Sequence, residues 1–241
     1  MSYSRRRNSR PNLLHISQWR AIVLLLVVWT TRVRGRFCDE LSEPTWNALI
    51  EVIEFSGGFV TLCPFVIEGD GCPSSKGLDV INQNLDLICD REGDEECRID
   101  CPGRHFTIYD GSTLILDRMT LASSRETSVR VMDKGTLVVI NSNFDDNRHP
   151  SGNGGAIHAT AFSQIEILHS NFNRNAALNG GAIYNLGVAN LQGCVMEKNN
   201  ATNGNGGALS VGQGAKTKVD SMTFRGNYAA FYGPAIFDGS G

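Results

Sequence analysis

The sequence has few prolines, few aromatic residues and no long apolar run. It contains 7 prolines among 241 residues, and aromatic side chains make up 8%. Its longest apolar run, residues 21–29, is too short for a helix that crosses a bilayer, which needs roughly 20 residues. There is no basic excess either, because 22 lysines and arginines stand against 25 carboxylates and give a net charge of -3. This balance argues against nucleic acid as a partner, since nucleic-acid binding needs a basic field.

Glycine is abundant and the apolar fraction is sufficient for a folded core. The chain has 26 glycines together with many asparagines and serines, and 41% of its residues are apolar. This composition is typical of short strands joined by tight turns. An ordinary globular domain of one large or two small units is the expected class.

The first 35 residues have the pattern of an export signal. Arginines precede the apolar residues 21–29, and Val33 and Gly35 are small enough to lie before a cleavage point. We therefore predict that residues 1–35 are a signal peptide or an uncleaved signal anchor, and that the protein is secreted or held at the cell surface. If the segment is not cleaved, residues 21–29 are the only part that contacts the membrane.

Cysteine usage agrees with export, because disulfides form in oxidising compartments. We predict disulfides among six cysteines, with the pairing left open: Cys38, Cys63, Cys72, Cys89, Cys97 and Cys101. A zinc site is the alternative, since Cys97 and Cys101 are four residues apart, but no Cys-x-x-Cys pair accompanies them. Asn200 begins the only Asn-x-Thr pattern, which predicts a glycan on an exposed loop.

Residues 44–58 predict a short amphipathic helix. Trp46, Leu49, Ile50 and Ile53 fall at steps of three and four on one face, and Gly57 and Gly58 end the pattern. A stack of strands has an open end that must be covered. We predict that this helix is the N-terminal cap.

Residues 59–136 alternate short β-prone runs with turns. No helical pattern lies between the runs, although parallel strands need crossovers. A coil of three short strands per turn meets both conditions. The predicted runs are 59–65, 85–89, 105–109, 113–116, 129–132 and 136–140.

A corner motif repeats through residues 137–241. Asn-Gly-Gly-Ala-Ile at residues 153–157 returns at 179–183, with a final Leu at 205–209, and as Tyr-Gly-Pro-Ala-Ile at 232–236. The first glycines are 26, 26 and 27 residues apart, a period typical of a solenoid. In each copy the first glycine permits the positive φ of a tight corner, and the second permits close approach of the next coil.

A second motif, Phe-x-x-Asn, sets the register of the coils. Its first member is Phe144, Phe172, Met196 or Phe224, and its last member is an asparagine in every copy. When the copies are overlaid, the first members of the motif fall in one column and a set of aliphatic residues falls in a second column. We predict that these two columns form the core. We predict an amide-to-amide ladder along the asparagine column: Asn147, Asn175, Asn199 and Asn227.

The two motifs together resemble the polymorphic outer-membrane protein repeat. That repeat occurs in bacterial autotransporter passenger domains and in exported eukaryotic proteins, and it folds as a right-handed parallel β-helix of the pectate-lyase-like type. The resemblance covers residues 137–241, and residues 59–136 extend it only by strand pattern. It implies an all-β solenoid over residues 36–241. Pro234, in place of the second glycine, predicts a different last corner.

The sequence ends at Gly241, soon after the fourth corner. Three alternatives follow for the last coil. It is an exposed edge, it pairs with another molecule, or the gene product is truncated.

The pectate-lyase-like resemblance implies that an enzyme must be considered. Such lyases hold calcium with clustered carboxylates beside a basic residue, and the hydrolases use paired aspartates. Convergence of Asp145, Asp146 and His149 with a basic residue from another coil would favour this alternative. The equivalent positions in the other coils carry different charges, however, and His149 and His158 have no histidine counterparts.

Two further candidates for chemistry have weak patterns. The acidic residues Asp90, Asp94, Glu95 and Glu96 lack the spacing of a calcium loop. Cys194 shares a column with serines and is interpreted as a buried free thiol. We therefore predict no catalytic residue, no metal site and no cofactor.

The aromatic residues of the last coil are the remaining candidates for binding. Tyr228, Phe231 and Tyr232 lie between the ladder asparagine and the corner, in a segment that varies while its flanks repeat. Exposed rings stack on sugars, although these rings could equally cover the end of the solenoid. The sequence as a whole predicts an exported, non-catalytic module for surface adhesion or for binding glycans or cell-surface proteins. A polysaccharide lyase or hydrolase of the same fold is the alternative.

Overall fold

The computed structural model describes residues 41, 43–73, 77–90 and 95–241, which belong to a compact unit of residues 38–241. The predicted signal segment, Cys38 and Asp94 lie outside the described residues. None of the helices in these ranges is long and apolar enough to cross a membrane.

Helix α1 (Trp46–Ser56) precedes the strands, as the sequence predicts. Thr45 caps its first turn by accepting a hydrogen bond from the Ala48 amide at 3.2 Å, and Gly57 ends it with a φ of 69°. Trp46, Leu49 and Ile53 are buried in the main apolar core, and the Trp46 ring lies 5.9 Å from that of Phe106. The helix therefore shares its apolar face with the strand core.

Three sheets of parallel strands run the length of the solenoid. Sheet A contains β1 (Phe59–Leu62), β4 (Asn84–Cys89), β7 (Thr113–Asp117), β10 (Thr136–Ile140), β14 (Gln164–Leu168), β18 (Val188–Gln192) and β22 (Lys216–Asp220). Sheet B contains β2 (Phe65–Glu68), β5 (Cys97–Asp100), β8 (Met119–Ala122), β11 (Asn143–Asp145), β15 (Asn171–Asn173), β19 (Val195–Glu197) and β23 (Thr223–Arg225). Sheet C contains β3 (Leu78–Val80), β6 (Phe106–Ile108), β9 (Val129–Val131), β13 (Ile157–Ala159), β17 (Ile183–Asn185), β21 (Leu209–Val211) and β25 (Ile236–Asp238).

A fourth, narrow sheet follows the ladder asparagines, which the sequence analysis did not predict. The backbone amide of the residue after each ladder asparagine donates to a carbonyl of the preceding coil. The Ala176 amide, for example, donates to the Asn147 carbonyl at 2.9 Å. Parallel strand pairing therefore continues for two residues beyond the ladder. Tyr228 therefore lies in a strand and not in a loop. Sheet D contains β12 (Arg148–His149), β16 (Ala176–Ala177), β20 (Asn200–Ala201) and β24 (Tyr228–Ala229).

The observed register agrees with the overlay of the repeats. Phe144 pairs with Phe172, which pairs with Met196, and the two phenylalanine rings stack with centroids 4.9 Å apart. Val139 and Ile167 are likewise Cα partners, in sheet A, and both are buried. Side chains alternate across a strand, so the remaining residues of sheets A and B point outward.

An asparagine ladder runs along the buried side of the coils. The Asn147 Nδ2 donates to Asn175 Oδ1 at 3.0 Å, Asn175 donates to Asn199 at 3.0 Å, and Asn199 donates to Asn227 at 3.0 Å. The same amides also donate to backbone carbonyls, such as Asn175 to Phe144. Each coil is therefore joined to the next through a buried polar column.

The glycine corners have the predicted geometry. Gly154 has a φ of 65°, and a Cβ on Gly155 would lie 2.5 Å from the Asn147 carbonyl oxygen. The last corner keeps this conformation despite Pro234, since Gly233 has a φ of 63° and the Gly207 amide still donates to its carbonyl at 3.0 Å. Proline is tolerated because the amide that its ring replaces is not used for pairing to the preceding coil. In the other copies this amide donates to the following coil, as Gly155 does to the Gly181 carbonyl at 3.1 Å.

The five described cysteines of the first half form disulfides. Cys72 is bonded to Cys101 and Cys89 to Cys97, and Cys63 is disulfide-bonded as well. The zinc alternative is therefore wrong, because Cys97 and Cys101 belong to two different disulfides. Cys194 is a buried free thiol, and burial raises its pKa.

Candidate binding surfaces

The outward face of sheet B forms a shallow polar groove. Its volume is about 230 Å³. The register places Thr120, Asn143 and Asn171 side by side on three consecutive coils, with Asp145 and Asn173 in the next column. We call this surface the polar groove; its lining residues are Glu96, Arg98, Thr120, Asn143, Phe144, Asp145, Asn171 and Asn173.

Side-chain amides are linked along the groove. The Asn171 Nδ2 donates to Asn143 Oδ1 at 2.9 Å, and the Asn143 Nδ2 donates to the Thr120 hydroxyl at 3.3 Å. Asn171 is exposed and Asn143 is half-buried, unlike the buried ladder, whereas the Thr120 at the end of the row is buried. An amide offers two donors and one acceptor oxygen, which matches the hydroxyl groups of a sugar.

The carboxylates of the groove are neutralised by arginines. Arg174, from the following coil, donates to both oxygens of Asp145 at 2.7 and 2.6 Å. Arg98 lies between Glu96 at 3.8 Å and Asp100 at 2.8 Å. Burial favours the neutral form of Asp100, but hydrogen bonds from Ser123 and Arg98 outweigh it and lower its pKa. Asp100 therefore stays ionised and is a poor proton donor.

The acid–base group that would favour an enzyme is not assembled in the described residues. Asp145 lines the polar groove, whereas Asp146 has a φ of 53° and binds Arg148 at 2.8 Å. His149 contacts the Thr127 hydroxyl at 2.9 Å through its Nδ1. Asp86, whose pKa is raised by burial, lies on sheet A and not in the groove.

No group of three or more metal-ligating side chains exists within the described ranges. Asp90, Glu95 and Glu96 are described, but they form no such group, and Asp94 is not described. A larger depression of about 480 Å³ lies beside α1, lined by Trp46, Glu51 and Asp70 among others.

The aromatic residues of the last coil are well exposed. Tyr228, Phe231 and Tyr232 are 60%, 65% and 70% exposed. The Tyr232 amide donates to the Asn205 side chain at 3.0 Å, which fixes the backbone of this segment but leaves the rings free. The predicted aromatic surface therefore exists, on sheet D and the corner that follows it.

Asn200 lies in a strand, where the sequence predicted an exposed loop. It is part of β20 and is half-buried, and the hydroxyl of Thr202 donates to the Ala177 carbonyl at 3.0 Å. The reason is the pairing of sheet D, which draws the residues after the ladder against their neighbours.

Sequence reasoning missed the polar groove. Its residues lie in outward columns, and the asparagines at 143 and 171 repeat in only two coils. The signal that could have found them was the same overlay, read one residue before the aromatic column.

Comparison with known proteins gives a family match and nothing further. A family model described as "Right handed beta helix region" matches residues 95–241. No curated protein matches the chain. No solved structure matches it either.

Proposed function

This chain belongs to the right-handed β-helix family, and we propose that it is a non-catalytic module that binds glycan chains in the polar groove of sheet B. The observation that carries the proposal is the pair of linked amides, the exposed Asn171 and the half-buried Asn143, anchored to the buried Thr120 hydroxyl. Hydrogen-bonding side chains spaced by the strand separation, about 4.8 Å, offer repeated contacts to a repeating ligand.

The rigidity of the solenoid supports binding. The groove residues are on paired strands, so their positions are fixed before a ligand arrives and less entropy is lost on binding. The exposed rings of Tyr228, Phe231 and Tyr232 offer a second, stacking surface for the same class of ligand.

The similarity of the repeats to the polymorphic outer-membrane protein type supports a role in surface adhesion. Disulfides such as Cys72–Cys101 are consistent with an extracellular protein. Export through residues 1–35 and a glycan on Asn200 stay predictions, as do cell-surface proteins as further partners.

A polysaccharide lyase or hydrolase is the second candidate, because the polar groove holds two carboxylates, Glu96 and Asp145. The arginine pairing of Asp145 disfavours it. A hydrolase needs one carboxylic acid of raised pKa beside a second carboxylate.

The test is a glycan-binding screen followed by calorimetry on the double variant Asn143→Ala/Asn171→Ala. We expect the variant to weaken binding at least about tenfold, since it removes several hydrogen bonds to the ligand. The matched control is Asn190→Ala, an outward asparagine on sheet A, which should bind as the wild type does.

Two results would contradict the proposal. Equal glycan binding by the double variant and the control would exclude the polar groove as the binding site. New unsaturated or reducing ends after incubation with pectate, with or without calcium, would establish the enzyme instead.

A further inference from the structure

The outward face of sheet C carries basic side chains that are separate from the polar groove. Arg130 on β9 and His158 on β13 are Cα partners, and Tyr184 on β17 follows in the same column. Val129 and Val131 are buried, so the residue between them points outward. We call Arg104, Arg130, His149 and His158 the cationic cluster.

Contacts fix most of the cluster in place. The Nδ1 of His149 lies 2.9 Å from the Thr127 hydroxyl, and the ring of His158 meets that of Tyr184 edge-on with centroids 5.3 Å apart. Arg104 pairs with Glu126 at 2.5 Å. The side chains therefore converge from three successive coils.

Within the described residues Arg130 has no hydrogen-bond or ion-pair partner, and its Nε is buried from solvent. The Nε of Arg104 is likewise buried and unpaired there. A buried guanidinium nitrogen without an acceptor is unfavourable, so an acceptor supplied from outside would stabilise this arrangement.

The charge around the cluster is positive. The charged groups that act on His149 and His158 are Arg104, Arg130 and the single carboxylate Glu126, and His149 acts on His158 as well. Burial, followed by Arg130, lowers the pKa of His158 to about 4. Its ring is neutral at pH 7 and can donate one hydrogen bond.

We propose that the cationic cluster binds an oxyanion, either a carboxylate or a sulfate group, with Arg130 as the principal ligand. The planar guanidinium presents paired N–H groups that match the two oxygens of such an anion. Arg104 supplies positive potential beside it, and the neutral ring of His158 supplies one further donor. This site is on sheet C and does not depend on glycan binding in the polar groove.

The test is a titration of the histidine ring signals by NMR with sodium sulfate and, separately, sodium glucuronate. Sodium chloride at equal ionic strength and uncharged glucose are the ligand controls. We expect sulfate and glucuronate to shift the His158 signal and to raise its pKa above about 4, because a bound anion favours the protonated ring. Sulfate should also raise the melting temperature beyond the chloride control.

Arg130→Gln is the diagnostic variant. It should weaken anion binding about tenfold or more, since a charge-assisted hydrogen-bond pair is lost. Its melting temperature without added anion should equal or exceed that of the wild type, because an unpaired charge is removed. Arg225→Gln, at an exposed outward arginine on β23, is the matched control and should bind as the wild type does. His158→Gln provides a second variant if Arg130→Gln does not fold.

The proposal is overturned if chloride or glucose reproduces the shifts, or if Arg130→Gln binds with unchanged affinity. A response to sulfate but not to glucuronate supports the site and assigns it to free inorganic anions. A response to both anions supports the site and indicates that it also binds an acidic group carried by a larger ligand.

Discussion

Single residues in the left-handed conformation bend each coil, and they are the least visible feature in the sequence. Asn141 and His169, between sheets A and B, have φ values of 49° and 48°. Asp146 and Arg174, just before the ladder, have values of 53° and 56°. Residues with side chains adopt this conformation only where packing holds them.

The same two columns contain Gly193 and Gly226 in other coils, at φ values of 65° and 57°. In the sequence, those glycines were the sign that these two columns adopt the left-handed conformation. They were missed because the other coils place ordinary residues at the same positions, so no glycine column appears.

The buried ladder makes one asparagine energetically important. Replacing Asn175 with alanine leaves the Asn147 backbone amide and the Phe144 carbonyl without their partners. We expect a loss of about 2–4 kcal/mol in the free energy of unfolding, since each unpaired buried group costs about 1–3 kcal/mol. Urea unfolding monitored by circular dichroism measures it.

The control for this variant is Asn171→Ala, four residues earlier and exposed on the outward face. It should change the unfolding free energy by less than about 1 kcal/mol. Equal losses at both positions would mean that the ladder does not contribute beyond an ordinary surface asparagine.

Among the elements of the first coils, the predicted runs correspond to β4, β6, β7, β9 and β10, whereas β3, β5 and β8 were not predicted. The predicted run 113–116 corresponds to β7 (Thr113–Asp117), and 136–140 to β10. The run 59–65 is divided into β1 and β2, because Pro64 lies at the bend between sheets A and B. Strands such as β3 and the two-residue strands of sheet D are too short to show the alternation of buried and outward residues in the sequence. They are defined only by their pairing with the strands of neighbouring coils.

Helix α1 contributes to the core through one face. Leu49 is fully buried, whereas Phe55 is 91% exposed. We expect Leu49→Ala to lower the unfolding free energy by about 2–5 kcal/mol, since it leaves a cavity between the helix and the strands. Chemical denaturation measures the change.

Phe55→Ala is the matched control on the same helix and should have little effect. If Leu49→Ala were as stable as this control, the helix would be an independent appendage and not part of the solenoid core.

At the scale of the whole molecule, buried histidine links folding to pH. His105 is fully buried between the Ser128 hydroxyl at 2.7 Å and the Cys101 carbonyl at 3.1 Å. Burial lowers its pKa from 6.5 to about 4. The unfolded chain therefore binds a proton that the folded chain does not, in the interval between those two values.

Stability should consequently fall as the pH is lowered from 6.5 towards 4. His105 alone accounts for about 3 kcal/mol of this loss, and His158 adds to it. The lowered pKa of Asp100 acts in the same direction, but only below its ordinary value of 3.8. Urea unfolding across this range measures the slope.

An NMR titration of His105 in the folded state provides the control, since its ring should begin to take up a proton only near pH 4. An ordinary histidine titration there, or an unchanged unfolding free energy between the two ends of the range, would contradict the linkage.

The sequence alone determined the solenoid, because repeats encode its coils over residues 137–241 and a pattern of short strands and turns extends it over residues 59–136. The spacing of Gly154 and Gly180, and the columns of Phe144 and Asn147, fix the period and the register through local geometry and burial. The N-terminal helix was equally determined, by its apolar face and its glycine stop.

The tertiary structure decided which outward residues become neighbours. Asn143 and Asn171 are 28 residues apart in the chain, and Arg104 and His158 are further apart still. Parallel stacking brings equivalent positions of successive coils side by side. Outward residues carry no burial pattern, so the polar groove and the cationic cluster emerge only when the coils are stacked.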